Sequence, residues 1–132
     1  MQNILNHAAE VLILLFLIIT FMQSAIDKVF DWNGNLSWLK GHFSETPLKN
    51  AVLILLATVL IFEAVSVILC AIGLYYIIIE NSTDFAFHGA ILCCVSLLML
   101  LFGQRMAKDY EGAKTIAVYF LISVFLVFLL QH

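Results

Sequence analysis

Four stretches in which apolar residues follow one another almost without interruption divide the chain: roughly Ala8 to Phe30, Ala51 to Ile79, Phe85 to Gly103 and Gly112 to Gln131. At ~1.5 Å per residue, each is long enough to cross roughly 30 Å of hydrocarbon as a helix. A helix is the element that satisfies its own backbone polar groups in lipid without help from neighbours. The pattern therefore predicts an all-α protein, a transmembrane four-helix up-and-down bundle forming a single domain over 1–132. Between the first two stretches the pattern changes. Asn33-Gly34 reads as a turn, after which Leu36, Leu39 and Phe43 recur at helical spacing beside Trp38, predicting a short interfacial helix in the first loop. Trp32 and Trp38 suit the headgroup layer, and Lys40 can reach toward phosphates. Thr46-Pro47 predicts the start of the second spanning helix, and Asn81, Ser82, Thr83 and Asp84 offer caps for the third.

Composition agrees with this pattern and narrows the function classes. Of the 132 residues, 64% are hydrophobic and 11% charged, at a mean hydropathy of +1.07, which a soluble domain of this length would not carry. The first apolar stretch lacks the basic flank and small-residue cleavage site of a signal peptide and is expected to remain as a span. The formal charge of −3 matters less than its layout. Lys28, Lys40 and Lys49 fall between or beside the first two spans, and Arg105, Lys108 and Lys114 between the last two. Both connections are thus expected on the cytoplasmic side and both termini outside, in a multi-pass protein of the bacterial cytoplasmic (inner) membrane. Six basic residues that never form a patch argue against nucleic acid as a partner.

Within the second span stands one ionisable residue, Glu63. A carboxylate near the bilayer centre is costly enough that it is expected to face the bundle interior. Counting inward from the span boundaries sets Thr20, Glu63, Ser96 and Ser123 at similar depths, an intramembrane polar site. Gln23, Ser24 and Asp27 extend the polar side of the first helix, with Thr20, Ser24 and Asp27 at helical spacing. No Lys, Arg or His lies at the depth assigned to Glu63, and Lys28 is nearer the boundary. Glu63 is therefore expected to be largely protonated, serving either as a proton carrier or as a neutral tie between helices. The hydroxyls themselves are expected to serve close helix packing, each bonded to a backbone carbonyl.

Other candidate chemistry is thinner. Cys70, Cys93 and Cys94 form no C-x-x-C, and adjacent helical residues point about 100° apart, so buried free thiols are expected rather than a redox pair. His7, His88 and His132 fall near the outer span ends with Glu10, Glu80 and Asp84, but no metal is expected there, and no residue is assigned a catalytic role. Axial haem ligands deep in the bundle are absent from the sequence.

Helix one ends Phe21-Met22-Gln23-Ser24-Ala25-Ile26-Asp27-Lys28-Val29-Phe30, which resembles the F-x-x-S-G-x-x-K-[LF] pattern of the DoxX family of small four-helix membrane proteins, with Ala25 in the glycine position. Glu63 and, ten residues later, Gly73-Leu74 are similar to that family's acidic residue and distal Gly-Leu. Ser66 and Val67 stand where glycines usually follow the acid. Arg105 and the Gly112-Ala113 start of the fourth span also fit the pattern. The resemblance covers most of the chain and points to Ser24, Lys28, Glu63, Gly73 and Arg105. It implies association with membrane oxidoreductases, the family being named for a small subunit of a quinol oxidase.

Together these readings lead to the expectation of an accessory, non-catalytic subunit of an oxidoreductase or quinol-linked respiratory complex. Such a subunit has no cofactor of its own, contacts membrane lipids and a membrane protein complex, and meets quinone only through a partner. The alternative is a stand-alone carrier or enzyme for a lipophilic small molecule using Glu63 in an intramembrane pocket. An ion or proton path is a third class and needs a continuous hydrated route on both sides of Glu63.

Overall fold

The computed structural model describes residues 2–131, all of whose regular structure is helical. A short α1 (Gln2–Asn6) precedes α2 (Ala8–Phe30), α3 (Trp32–His42), α4 (Val52–Glu80), α5 (Asp84–Met106) and α6 (Tyr110–Gln131). The helices α2, α4, α5 and α6 are each long and apolar enough to cross a membrane, making this a multi-pass membrane protein. They form a four-helix bundle in which α4 packs on α2 and α5, α5 on α6, and α6 back on α2. The connections 81–83 and 107–109 are three residues each, so successive spans run antiparallel.

Helix α4 shows how such a bundle is sorted. Its buried residues Leu56, Glu63, Ser66, Cys70, Gly73 and Ile77 recur at intervals of three, four and seven, the period of one helical face. Ile61, Ile68, Ile72 and Ile79 are exposed. The outward face is thus bulky and apolar, while Glu63, Ser66, Cys70 and Gly73 stand inward between Leu56 and Ile77, because lipid exerts no hydrophobic push between helices and close packing at small residues holds them instead. The seam with α5 depends on that closeness. A Cβ on Gly73 would fall on the Ala86 backbone, and one on Gly89 would come within 2.9 Å of Cys70 Sγ.

Two local signals, one for a turn and one for a helix start, are overridden. Asn33-Gly34 lies inside α3 and forms no turn; the break from α2 is at Asp31, with φ −125° and ψ 48°. The Asn35 amide donates to the carbonyls of Asp27 and Asp31, at 3.2 and 2.9 Å, and ties the two helices across the break. Thr46-Pro47 likewise opens a turn ahead of the helix. Thr46 Oγ1 donates to the Phe43 carbonyl and accepts the Leu48 N–H, and α4 begins only at Val52. At the far end of α4, Asn81 adopts the left-handed conformation (φ 53°). There its own N–H and that of Ser82 fold back onto the Ile77 and Tyr76 carbonyls.

All six Lys and Arg lie toward one end of the bundle, hereafter the basic end, with α3 and the α5–α6 connection. At that end α3 is held down by His42, whose Nε2 lies 2.9 Å from Gln104 Oε1 and 3.5 Å from Asp109 Oδ2. Asp109 Oδ1 accepts the Gly112 N–H and caps α6. The opposite end is closed by His7, with Nδ1 3.0 Å from Glu10 Oε2 and Nε2 3.1 Å from Asn81 Oδ1.

Candidate functional site

Helix α4 turns Glu63 into the bundle interior, where only 1% of the residue is exposed. From α2, one turn of helix brings Ser24 and Lys28 onto the same face. Lys28 Nζ donates to Ser24 Oγ at 2.6 Å and stands 2.8 Å from Glu63 Oε1. The side chain of Lys28 is itself only 15% exposed. Glu63 Oε1 receives no directed hydrogen bond among the described residues, so the contact with the ammonium is ionic in character.

This geometry corrects the expectation that Glu63 lacks a counter-charge. Depth counted from the span boundary misleads because α4 has 29 residues against 22 or 23 in its neighbours, so equal counts from their ends do not reach equal depths. The Lys stem then spans what difference remains, carrying its charge inward to the acid where an outward reach to the headgroups was the alternative. The largely protonated acid inferred from a missing cation loses its premise. As an ion pair, the unit has no net charge.

None of the hydroxyls set at the depth of Glu63 makes a hydrogen bond to it among the described residues. Ser96 donates to the Leu92 carbonyl at 2.9 Å, Ser123 to Tyr119 at 3.0 Å and Ser66 to Phe62 at 2.7 Å, each closing on its own helix. They are fully buried and serve helix packing, as expected of small interfacial residues. Thr20 is half-buried and makes no bond to Glu63, while Gln23 and Asp27 are exposed, so no graded polar path runs along α2. Among the residues of the DoxX-like pattern, Ser24, Lys28 and Glu63 come together. Gly73 instead serves the α4–α5 seam, and Arg105 lies away from the pair, with its guanidinium 5.0 Å from the centre of the Tyr110 ring.

Cys70 and Cys93 are buried with their sulfurs 3.9 Å apart and unbonded, and Cys94 is half-buried, so all three are free thiols. His7 is engaged by Glu10 and Asn81, and His88 Nδ1 donates to the Asp84 carbonyl. No group of three metal-binding side chains occurs among the described residues, and His132 lies outside them.

A cavity of about 550 Å³, which no pattern in the sequence announces, lies between α3, α4 and α5 with Lys28 in its wall. Trp38 and Phe43 from the α3 side, Leu55 and Val59 from α4, and Leu98 and Phe102 from α5 make it predominantly apolar. Lys28 is its one ionisable wall residue among those described. The volume is that of a small-molecule site, and apolar walls with one or two polar groups are the usual construction of such sites. The aromatic and aliphatic residues of α3 and the run that follows it suit membrane anchoring. The same residues form the cover of this space.

Compared with family models, curated proteins and solved structures, the chain matches none of them.

Proposed function

We propose that this chain is a membrane-embedded carrier or binding protein for a lipophilic small molecule, seated in the cavity between α3, α4 and α5. Lys28 is the polar corner of the site, and Glu63 and Ser24 hold its ammonium in position. The cavity is the observation that carries this reading. An accessory subunit needs outward packing surface but no recess beside a held charge; this recess is half-open, with Trp38, Leu98 and Phe102 of its wall exposed, so a lipophile can enter it from the bilayer. The ion pair supports it further. Burying two charges in an apolar bundle is hard to justify by stability alone, since hydrophobic replacements of such pairs are often as stable or more so.

In this reading the chain is a DoxX-like protein, supported by the convergence of Ser24, Lys28 and Glu63 from two helices. Its basic end faces the cytoplasm and its termini face outward, across a bacterial inner membrane. Single cysteines in a Cys-free background test the orientation. Glu80→Cys should react with an impermeant maleimide in intact cells, and Lys114→Cys only after permeabilisation.

Native mass spectrometry of protein released in mild detergent tests the function. The expected result is a stoichiometric bound small molecule, lost in a Val95→Trp variant that fills the cavity. Co-purification with haem or flavin subunits and an empty cavity would instead return the chain to the role of accessory subunit.

A further inference from the structure

We infer that the cavity selects a neutral lipophile carrying an oxygen acceptor, such as a long-chain alcohol, ester or ketone, and discriminates against an anion of the same chain; this rests on the carrier reading above. The argument begins with the donors of Lys28. Its ammonium has three N–H groups. One is given to Ser24 Oγ at 2.6 Å, Glu63 Oε1 stands 2.8 Å away as an ionic partner without a directed hydrogen bond, and no other described residue accepts from the ammonium, so donor capacity remains. A donor in an apolar wall with capacity to spare is the natural anchor for a ligand oxygen, and Lys28, its side chain 15% exposed, is placed to offer it.

The charge of the anchor decides which oxygen. Glu63 cancels Lys28 at contact distance, and no other Lys, Arg or His belongs to the cavity wall. A carboxylate or phosphate entering this space would meet one cation already neutralised and one anion close behind it. It would lose its hydration with no net attraction in return. A neutral carbonyl, ester or hydroxyl oxygen accepts the spare N–H without that loss, and its chain fills the apolar remainder.

Other wall groups do not alter the balance. Thr58 donates to the Ile54 carbonyl, the Asn35 amide donates to the Asp27 and Asp31 carbonyls, and Gln104 Oε1 accepts from His42, while the uncharged Gln104 amide N–H groups favour no anion over a neutral oxygen by charge. Asp27 and Asp31, the acids nearest Lys28 in sequence on the α2–α3 corner, are exposed and would repel an anion further.

The cavity contains its own reporter, Trp38, and the chain has one other tryptophan, Trp32. With Trp32→Phe as background, in phosphatidylcholine nanodiscs, Trp38 quenching by dibromostearate methyl ester is compared with quenching by dibromostearate at alkaline pH. Each is competed by its unbrominated counterpart to isolate the saturable part. The expected result is saturable quenching at least tenfold stronger for the ester. Glu63→Gln, which leaves Lys28 uncompensated, should reverse the preference toward the anion. Lys28→Met/Glu63→Leu, which removes both charges together, should weaken the ester about tenfold. Equal or tighter binding of the anion by the unaltered pair would overturn the head-group assignment while leaving the carrier reading intact. Purely non-saturable quenching by both probes would overturn both.

Discussion

Lys28 and Glu63 are legible as residues but not as a pair. The sequence singles out Glu63 because a lone acid in an apolar span demands an explanation, and Lys28 is marked by the resemblance to the DoxX pattern. What joins them is the offset between α2 and α4 and the reach of a lysine stem, neither of which is written in any local pattern. Their mutual dependence has a measurable signature. Lys28→Met leaves a carboxylate buried without its counter-charge and is expected to cost about 3–5 kcal/mol. The double variant Lys28→Met/Glu63→Leu should recover most of that loss, because an apolar replacement of the whole pair restores packing without leaving an orphan charge. Unfolding of purified protein by a denaturing detergent, followed by circular dichroism, checks both. Equal stability of the single and double variants would show that the two charges do not depend on one another.

The helices were the easiest elements to read and their ends the hardest. Apolar runs located α2, α4, α5 and α6 to within a few residues, since twenty or so apolar residues have few other uses. Asn33-Gly34 and Thr46-Pro47 misled because each is a local preference of small energy. At the first, the Asn35 side-chain amide bonds to the Asp27 and Asp31 carbonyls and favours helix; at the second, Thr46 finds partners in a turn before the span begins. The α4–α5 seam was visible only in part. Gly73 stood out through the family pattern, but its role follows from Ala86, whose backbone occupies the place of the missing side chain. Gly73→Ala must force the two helices apart, and a loss of about 1–3 kcal/mol is expected in the same unfolding measurement. Gly41 has nothing within reach of an added methyl, so Gly41→Ala should be close to neutral or slightly stabilising by comparison. The seam also sorts the thiols. A lipid-soluble maleimide should label half-buried Cys94 well before Cys70 and Cys93, which mass spectrometry of peptides resolves.

For the molecule as a whole, the bundle was legible because the composition admits almost nothing else, whereas the cavity was not, because it is a gap between elements and a gap leaves no periodicity. The wall positions of α3 carry the same aromatic and aliphatic residues that a membrane anchor would. One property of the assembled molecule follows from the Lys28–Glu63 contact. A transmembrane voltage acts on a lone charge with up to about 2.3 kcal/mol per 100 mV, but it pulls the two members of this pair in opposite directions, and the work nearly cancels. Loading and release should therefore proceed alike in energised and de-energised membranes. A potassium diffusion potential imposed on proteoliposomes with valinomycin should leave the Trp38 signal unchanged, whereas the Glu63→Gln protein, with its ammonium alone, should respond to the sign of the field.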